Sequence, residues 1–393
     1  MHLRSFIIEN FGPIKKLTWE VGENTAGWHV FIGDNGAGKS TLLRALSLAM
    51  VGNKGATGLR VSPSSLVKVG EKKGTVGAVW SNGTKFVYDT DKGAPITRWL
   101  GEKKFQTSFG PIRRFVGNGG KATDLREAYP DVARHLPLFD DSWALTEMVS
   151  WLKDLKLDQT ANEETAYPLN WIKAFINNSE LLPNDVRLDD VTSVGPIFTD
   201  SSGVNVSIGD LSDGYQSVLG LALDLLRQLA DFGQGPTHVG GGELAVQQRG
   251  IVLIDEIDAH LHPTWQQRIG GFFTKHFPNM QFLVTTHSPL VCRAAENGSV
   301  FRLPRPGEPE DEGGMVEGVD RDRLIFGDVL DAYGTEVFGR GVTRSADAHK
   351  KLVRLGELNV KARFGAELTP TEQQEQRELR AIFVQAPLSP EDL

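Results

Sequence analysis

One cysteine, Cys292, stands among 393 residues. A lone thiol excludes an internal disulfide and a cysteine-rich zinc site. Long apolar runs are missing too. The best candidates, at 42–51 and 218–226, are broken by Arg44 and Asp224 and fall short of the roughly 20 residues that cross a bilayer. Met1-His2-Leu3-Arg4-Ser5 leads into no uninterrupted apolar stretch, so no secretory signal and no membrane partner are expected, and the chain reads as cytoplasmic. A positive excess is also lacking. The 42 Lys plus Arg against 50 Asp plus Glu leave a net charge of −8, which argues against unselective coating of nucleic acid but leaves room for a local basic groove. There is no internal repeat and no heptad array, hence no long coiled-coil arm.

What is present suits a large globular chain, with 40% apolar and 23% charged residues. Residues 3–8 and 28–32 read as strands, and 33–38 as a glycine-rich loop that opens a helix over 39–50. Alternation over 76–90 around Asn82-Gly83 predicts a hairpin with a two-residue turn. Residues 140–180 read as helical, with Trp143, Leu145, Met148, Trp151, Leu152 and Leu155 on one apolar face and Trp171, Ile172, Phe175 and Ile176 on another, read as core, and 194–208 as a second hairpin. A helix is expected over 214–230 and a glycine-rich surface loop over 232–249. Two buried strands, 251–254 and 281–285, flank a helix over 263–275 that opens on Pro263. Thr369-Pro370-Thr371-Glu372 fits a capping box for a late helix.

Three motifs carry chemistry. Gly33-Asp34-Asn35-Gly36-Ala37-Gly38-Lys39-Ser40 matches the Walker A phosphate loop, between a strand and a helix. Asn35, Gly36, Ala37, Gly38 and Thr41 would turn backbone N–H groups toward phosphate oxygens, aided by the positive helix end. Lys39 would reach the terminal phosphates and Ser40 would ligate a metal. The bland alternative is a chance glycine turn. Ile251-Val252-Leu253-Ile254-Asp255-Glu256 is an apolar strand that ends in two carboxylates, the Walker B pattern. Asp255 would hold the metal and Glu256 would polarise water as general base. Leu211-Ser212-Asp213-Gly214-Tyr215-Gln216 precedes it by about 40 residues. By itself Ser212 reads as an ordinary helix N-cap.

Together these motifs resemble the ABC and SMC/RecF-like ATPases, whose signature usually reads Leu-Ser-Gly-Gly-Gln; Asp213 and Tyr215 are departures from it. The resemblance implies an α/β fold: an ABC-ATPase-type P-loop head with a mixed central sheet over 1–303, a helical lid insertion over about 120–190, a linker over 304–320 and a helical C-terminal extension over 321–393. It implies ATP and Mg²⁺ as ligands. It also implies a head-to-head homodimer or higher homo-oligomer, in which Ser212 and Gly214 of one copy grip the γ-phosphate held by Lys39 of the other. Asp258 matches the D-loop of such enzymes and His287 the switch histidine. Leu-Ser-Asp-Gly-Tyr and Asp-Glu-Ile-Asp-Ala-His-Leu-His-Pro, with 134–140 and 151–155, are similar to a narrower group, the ATPases of Septu and retron-linked anti-phage systems, related to OLD-type ATPases. That implies a separate nuclease as partner. The rival reading is a RecF-like DNA repair clamp, with nucleic acid as ligand. Gln106 and Gln159 are candidates for the glutamine of the adenine-side loop. His260-x-His262 is a weak metal pair, and Asp320-Arg321-Asp322 a weak match to a TOPRIM nuclease.

Overall fold

The computed structural model describes residues 2–91, 104–113, 128–140, 146–161, 167–179, 181–182, 186–200, 202–233, 237–239, 243–307, 313–333, 335, 337, 346–363 and 368–383. They fall into two compact units, Met1–Val329 and Leu330–Leu393, whereas the sequence placed the end of the head at 303.

The first unit opens with β1 (Leu3–Phe11) and β2 (Ile14–Glu20), then β3 (Gly27–Ile32) and helix α1 (Lys39–Gly58). β2 escaped the sequence reading although Leu17 and Trp19, two residues apart, both point inward. β4 (Thr75–Trp80) and β5 (Lys85–Asp89) join them in an antiparallel sheet of order β2-β1-β4-β5. The β4–β5 turn has three residues, not two: Trp80 N–H bonds to Thr84 O at 2.8 Å, with Gly83 at φ 82°. β6 (Phe105–Phe109), α2 (Thr146–Ala161), α3 (Tyr167–Asn178), β7 (Arg187–Val191), β8 (Pro196–Thr199), β9 (Asn205–Ser207) and α4 (Asp213–Asp231) follow. Behind them come β10 (Thr237–Val239), β11 (Glu243–Ala245), β12 (Gly250–Ile254), α5 (Pro263–His276), β13 (Met280–Thr286), β14 (Gly298–Arg302), β15 (Gly314–Met315) and α6 (Gly318–Phe326).

The central sheet runs β15-β14-β3-β13-β12-β6, parallel except for β15, so it is mixed as expected. Every strand from β14 to β6 points the same way. The segments after β3, β12, β13 and β6 therefore emerge at one edge, where open α/β sheets place their ligands. Leu42, Leu43 and Leu46 of α1 pack into one core with the antiparallel sheet, where Phe6 stacks on Trp19 at 4.9 Å. Trp28, Phe273 and Phe282 fill the opposite face under α5. Phe175 of α3 reaches Phe272 and His276 of α5, which fixes α3 against this helix.

Several segments depart from the sequence reading. α1 passes Met50 and continues beyond a break at Gly52 (φ 70°). The expected loop 232–249 holds the β10–β11 hairpin, because Leu244, Ala245 and Val246 bury against the end of α5 and Val246 N–H bonds to His276 O at 2.8 Å. β7–β9 form a small three-stranded sheet that begins at Arg187, inside the stretch of about 120–190 expected to be a helical lid. Within the expected linker, Gly314–Met315 pairs with β14. The second unit contains α7 (Ala346–Arg363) and α8 (Pro370–Phe383), packed through Leu355, Leu358 and Leu379. The capping box forms there: Glu372 N–H bonds to Thr369 Oγ1 at 3.2 Å, and Thr369 N–H to the Glu372 carboxylate at 2.9 Å.

Two buried histidines make stability pH-dependent. His29 lies between Ser299 Oγ and Thr25 O, and His135 against Ser47 Oγ at 2.8 Å. Burial lowers His29 to about 4, against the opposing pull of the Thr25 carbonyl, and burial with the nearby Arg134 lowers His135 to about 3. Both folded values lie below the unfolded value, so the unfolded chain takes up protons first. Their contribution is complete above the unfolded pKa and drains away as pH falls from it toward the folded values. At roughly 1.4 kcal/mol per pH unit, each loses on the order of 2 kcal/mol between pH 6.5 and 5. Urea unfolding should show this slope, and because burial lowers His2 to about 4 as well, His135→Asn should remove about a third of it. An unchanged slope in that variant would contradict the assignment.

Candidate functional site

The loop after β3 is shaped by two glycines. Gly36 and Gly38 hold φ at 81° and 99°, a left-handed region that side chains disfavour. A Cβ on Gly38 would also come within 2.8 Å of Ile14 Cγ1, so the β1–β2 turn lies directly on the loop. Lys39 is buried, and its ammonium donates to Gly33 O at 2.7 Å and Asp34 O at 3.0 Å, folded over the loop that it would share with a phosphate. Burial lowers its pKa, while Glu256, Asp255, Asp258 and Asp34 oppose that in this order. The charges of those carboxylates therefore favour the protonated ammonium. Asn35 and Gly36 are exposed, Ala37 is buried, and Ser40 and Thr41 are half-buried at the first turn of α1. Arg305 pairs with the Asp34 carboxylate at 3.3 Å.

β12 is wholly buried and delivers Asp255, which is 1% exposed, to the same edge. Thr285 of β13 ties this corner together. Its hydroxyl donates to Asp255 Oδ1 at 2.5 Å and accepts from Glu256 N–H at 2.8 Å. Glu256 sits at φ 44°, a rare conformation for a non-glycine residue, and such residues cluster at functional sites. Asp258 accepts from the Thr286 hydroxyl at 2.6 Å and from His287 N–H at 3.3 Å. The D-loop is thereby bound to the loop that presents the exposed His287. Gln266 strengthens the link: its amide donates to Leu261 O at 2.9 Å and its carbonyl accepts from the Ser288 hydroxyl at 2.7 Å.

Sequence reasoning missed Arg113. It follows β6, a strand whose only clue is the run Phe105-Gln106-Thr107-Ser108-Phe109 before Gly110-Pro111. The guanidinium is buried and donates to the carbonyls of Gly110, Asp255, Glu256 and Ile257 and to Ser217 Oγ of α4, at 2.8–3.3 Å. Burial lowers its pKa to about 10, and Asp258, Asp255 and Glu256 hold it up against that.

Ser212 stands at the N-cap of α4 but makes no capping hydrogen bond with its side chain. The ordinary N-cap reading is therefore not realised, and the exposed hydroxyl faces outward at a positive helix end. A Cβ on Gly214 would lie 3.1 Å from His260 O. Between these two segments opens a cavity of about 730 Å³, lined by the signature residues 212–215 and by 260–262, Thr264, Trp265 and Arg268. No phosphate-loop residue lines it.

Other candidates stay away from the sheet edge. Gln106 is in register with Ile251, at the start of β12, and its Nε2 finds no acceptor among the described residues. Gln159 bonds to Asn170 within the insertion. His262 caps α5 by accepting from Thr264 N–H, and among the described residues no group of three or more His, Cys, Asp or Glu could hold a metal by itself. Asp320-Arg321-Asp322 lies on α6, which follows the half-buried two-residue strand β15 rather than a buried strand. A metal bound with phosphate is a different case. The Ser40 hydroxyl and the Asp255 carboxylate, which accepts one described hydrogen bond from Thr285, form an oxygen-only donor set suited to a hard cation such as Mg²⁺. No helix among the described residues is long and apolar enough to cross a membrane.

Residues 1–73 match the family model described as AAA ATPase domain, and residues 131–293 the one described as AAA domain, putative AbiEii toxin, Type IV TA system. The Septu protein PtuA of Bacillus mycoides (strain KBAB4) is 28% identical over 316 residues, covering 77% of this chain and 40% of that protein. The Retron Ec83 probable ATPase of Escherichia coli is 39% identical over 117 residues, covering 28% of this chain and 20% of that protein. The chain thus matches less than half the length of either relative. Among solved structures, an SMC head bound to the C-winged helix domain of ScpA aligns over 80% of this chain and 98% of that one, with a TM-score of 0.46 and 15% identity.

Proposed function

We propose that this chain, an AAA-class ATPase with an SMC/RecF-like head, hydrolyses ATP at sites completed by a second copy and acts as the regulatory subunit of an anti-phage complex that controls a separate nuclease. One observation carries the two-copy reading. The signature motif opens onto a cavity that its own phosphate loop does not line, and its serine hydroxyl is not spent on capping. A phosphate supplied by another copy fits that opening.

The chain's own groups divide the work. The N–H groups of 35–41 cradle the phosphates and the Lys39 ammonium leaves Gly33 O and Asp34 O for them. Ser40 and Asp255 would hold Mg²⁺, which would supply charge neutralisation to the bound phosphates. Glu256 takes a proton from the attacking water, and the exposed His287 is placed to bond the γ-phosphate. Ser212 and Gly214 of the second copy close the site with a hydroxyl, an N–H and a helix end.

Ser212→Glu places an anion on an exposed position without altering the core. It should leave nucleotide binding by the single copy within twofold, abolish the ATP-driven increase in mass by light scattering, and lower turnover by about a hundredfold. Turnover equal to the parent's would refute the composite site. Purifying the chain from its native genomic neighbourhood tests the nuclease half. A co-purifying metal-dependent nuclease supports it. Lack of one, with DNA-stimulated and steeply salt-sensitive ATP turnover, would favour the RecF-like clamp.

A further inference from the structure

Arg113 sits where three elements meet. Its Nη1 and Nη2 gather the carbonyls of three consecutive residues, Asp255, Glu256 and Ile257, at 3.2, 2.8 and 3.3 Å, and Nη1 also bonds Gly110 O at 3.3 Å. Its Nε donates to Ser217 Oγ at 3.1 Å. None of these five acceptors is a carboxylate. Successive carbonyls in regular structure diverge; here the left-handed turn at Glu256 brings them onto one side, and a planar five-donor fork can bond them together. A lysine ammonium has three donors and no plane. On the far side, Ser217 lies in α4 five residues beyond Ser212, the residue that opens this helix.

We infer that Arg113 is a positioning residue, a buried latch that joins the signature helix to the turn carrying Glu256, so that engagement of α4 by the second copy sets the aim of the general base. This rests on the ATPase reading above for its consequence, though the mechanical link can be measured without it. Movement of the α4 N-terminus reaches Ser217 within one and a half helical turns. Ser217 passes it to Nε, and the rigid guanidinium passes it to the carbonyls of 255–257. Thr285, bonded to Asp255 and Glu256 from the other side, is the fixed point against which the turn pivots. The latch predicts that a change on α4 is felt at β12, although Ser217 makes no described hydrogen bond to 255–257 itself.

The test compares the full-length parent with Ser217→Ala, Arg113→Lys and the double variant. Amide exchange by mass spectrometry follows peptides covering 255–258 and 211–219, and kcat, KM and melting temperature are measured in parallel. Ser217→Ala, which removes one oxygen, should keep its melting temperature yet speed exchange over 255–258 at least tenfold and lower kcat three- to tenfold. Arg113→Lys should lower kcat at least thirtyfold with nucleotide affinity within threefold, and adding Ser217→Ala to it should change kcat by less than twofold, since both cut the same link. The latch is overturned if Ser217→Ala leaves exchange over 255–258 within twofold of the parent. It is also overturned if Arg113→Lys lowers kcat, affinity and melting temperature together, as loss of mere structural support would. A parent without ATP turnover would sink the ATPase reading, while the exchange comparison would still decide the latch.

Discussion

Glu256→Gln is expected to cut ATP turnover about a thousandfold, within the range that a general base contributes, while ATP binds as tightly as before or more tightly. In barrier terms that is about 4 kcal/mol. The substitution is close to a single-atom change. It keeps the side-chain length and leaves the two bonds that shape the turn, Glu256 N–H to Thr285 and Arg113 to Glu256 O. Asp255 remains for the metal. Removing one of the carboxylates around Lys39 also removes repulsion toward a triphosphate. Binding should therefore survive, and the closed pair of copies should accumulate in ATP as a stable species of doubled mass. Phosphate release and light scattering measure the two halves separately. Turnover within tenfold of the parent would place the base elsewhere, with His287 the first residue to examine.

The motifs were legible because each is contiguous and each forces its own local structure. Gly36 and Gly38 adopt the positive φ that a phosphate loop needs, and 251–254 is a strand buried on both faces, as its unbroken apolar run implied. Asp258 and His287 were found separately, but the bond that joins them could not be seen, since 29 residues separate them. The same reason hid Arg113. Its partners lie at 217 and 255–257, and its strand β6 has no strong alternation because both faces are covered. Gln106 drew notice by residue type, yet β6 places it in register with Ile251, at the wrong end of the strand. β15 and the β10–β11 hairpin lay in glycine-rich composition that reads as loop. They exist because β14 offers an edge and α5 offers an apolar surface, and tertiary context decides such short strands. The charge environment of Lys39 is also a product of folding, since its four carboxylates come from the phosphate loop and from the segment after β12.

Lys39→Ala should fail at the step that Glu256→Gln leaves intact. Truncating one side of a largely desolvated, hydrogen-bonded charge pair costs about 2–5 kcal/mol, so ATP affinity should fall by roughly thirtyfold to several thousandfold. The local setting pushes the loss toward the upper end. Lys39 is the cation on which the charges of Glu256, Asp255, Asp258 and Asp34 act, and without it an incoming triphosphate meets their unopposed charge. The loop should keep its shape, because Gly36, Gly38 and the Leu42 N–H to Gly38 O bond of 2.8 Å do not depend on the lysine side chain. Calorimetry should show this loss of affinity, and melting should show no gain on adding ATP-Mg²⁺, where the parent gains stability by mass action. Affinity within threefold of the parent would mean that the nucleotide does not sit on this loop. The two variants are alike in turnover and opposite in binding. A chain that hydrolysed ATP elsewhere could not produce that pair of results, because Lys39 and Glu256 would then have no common phosphate on which to act.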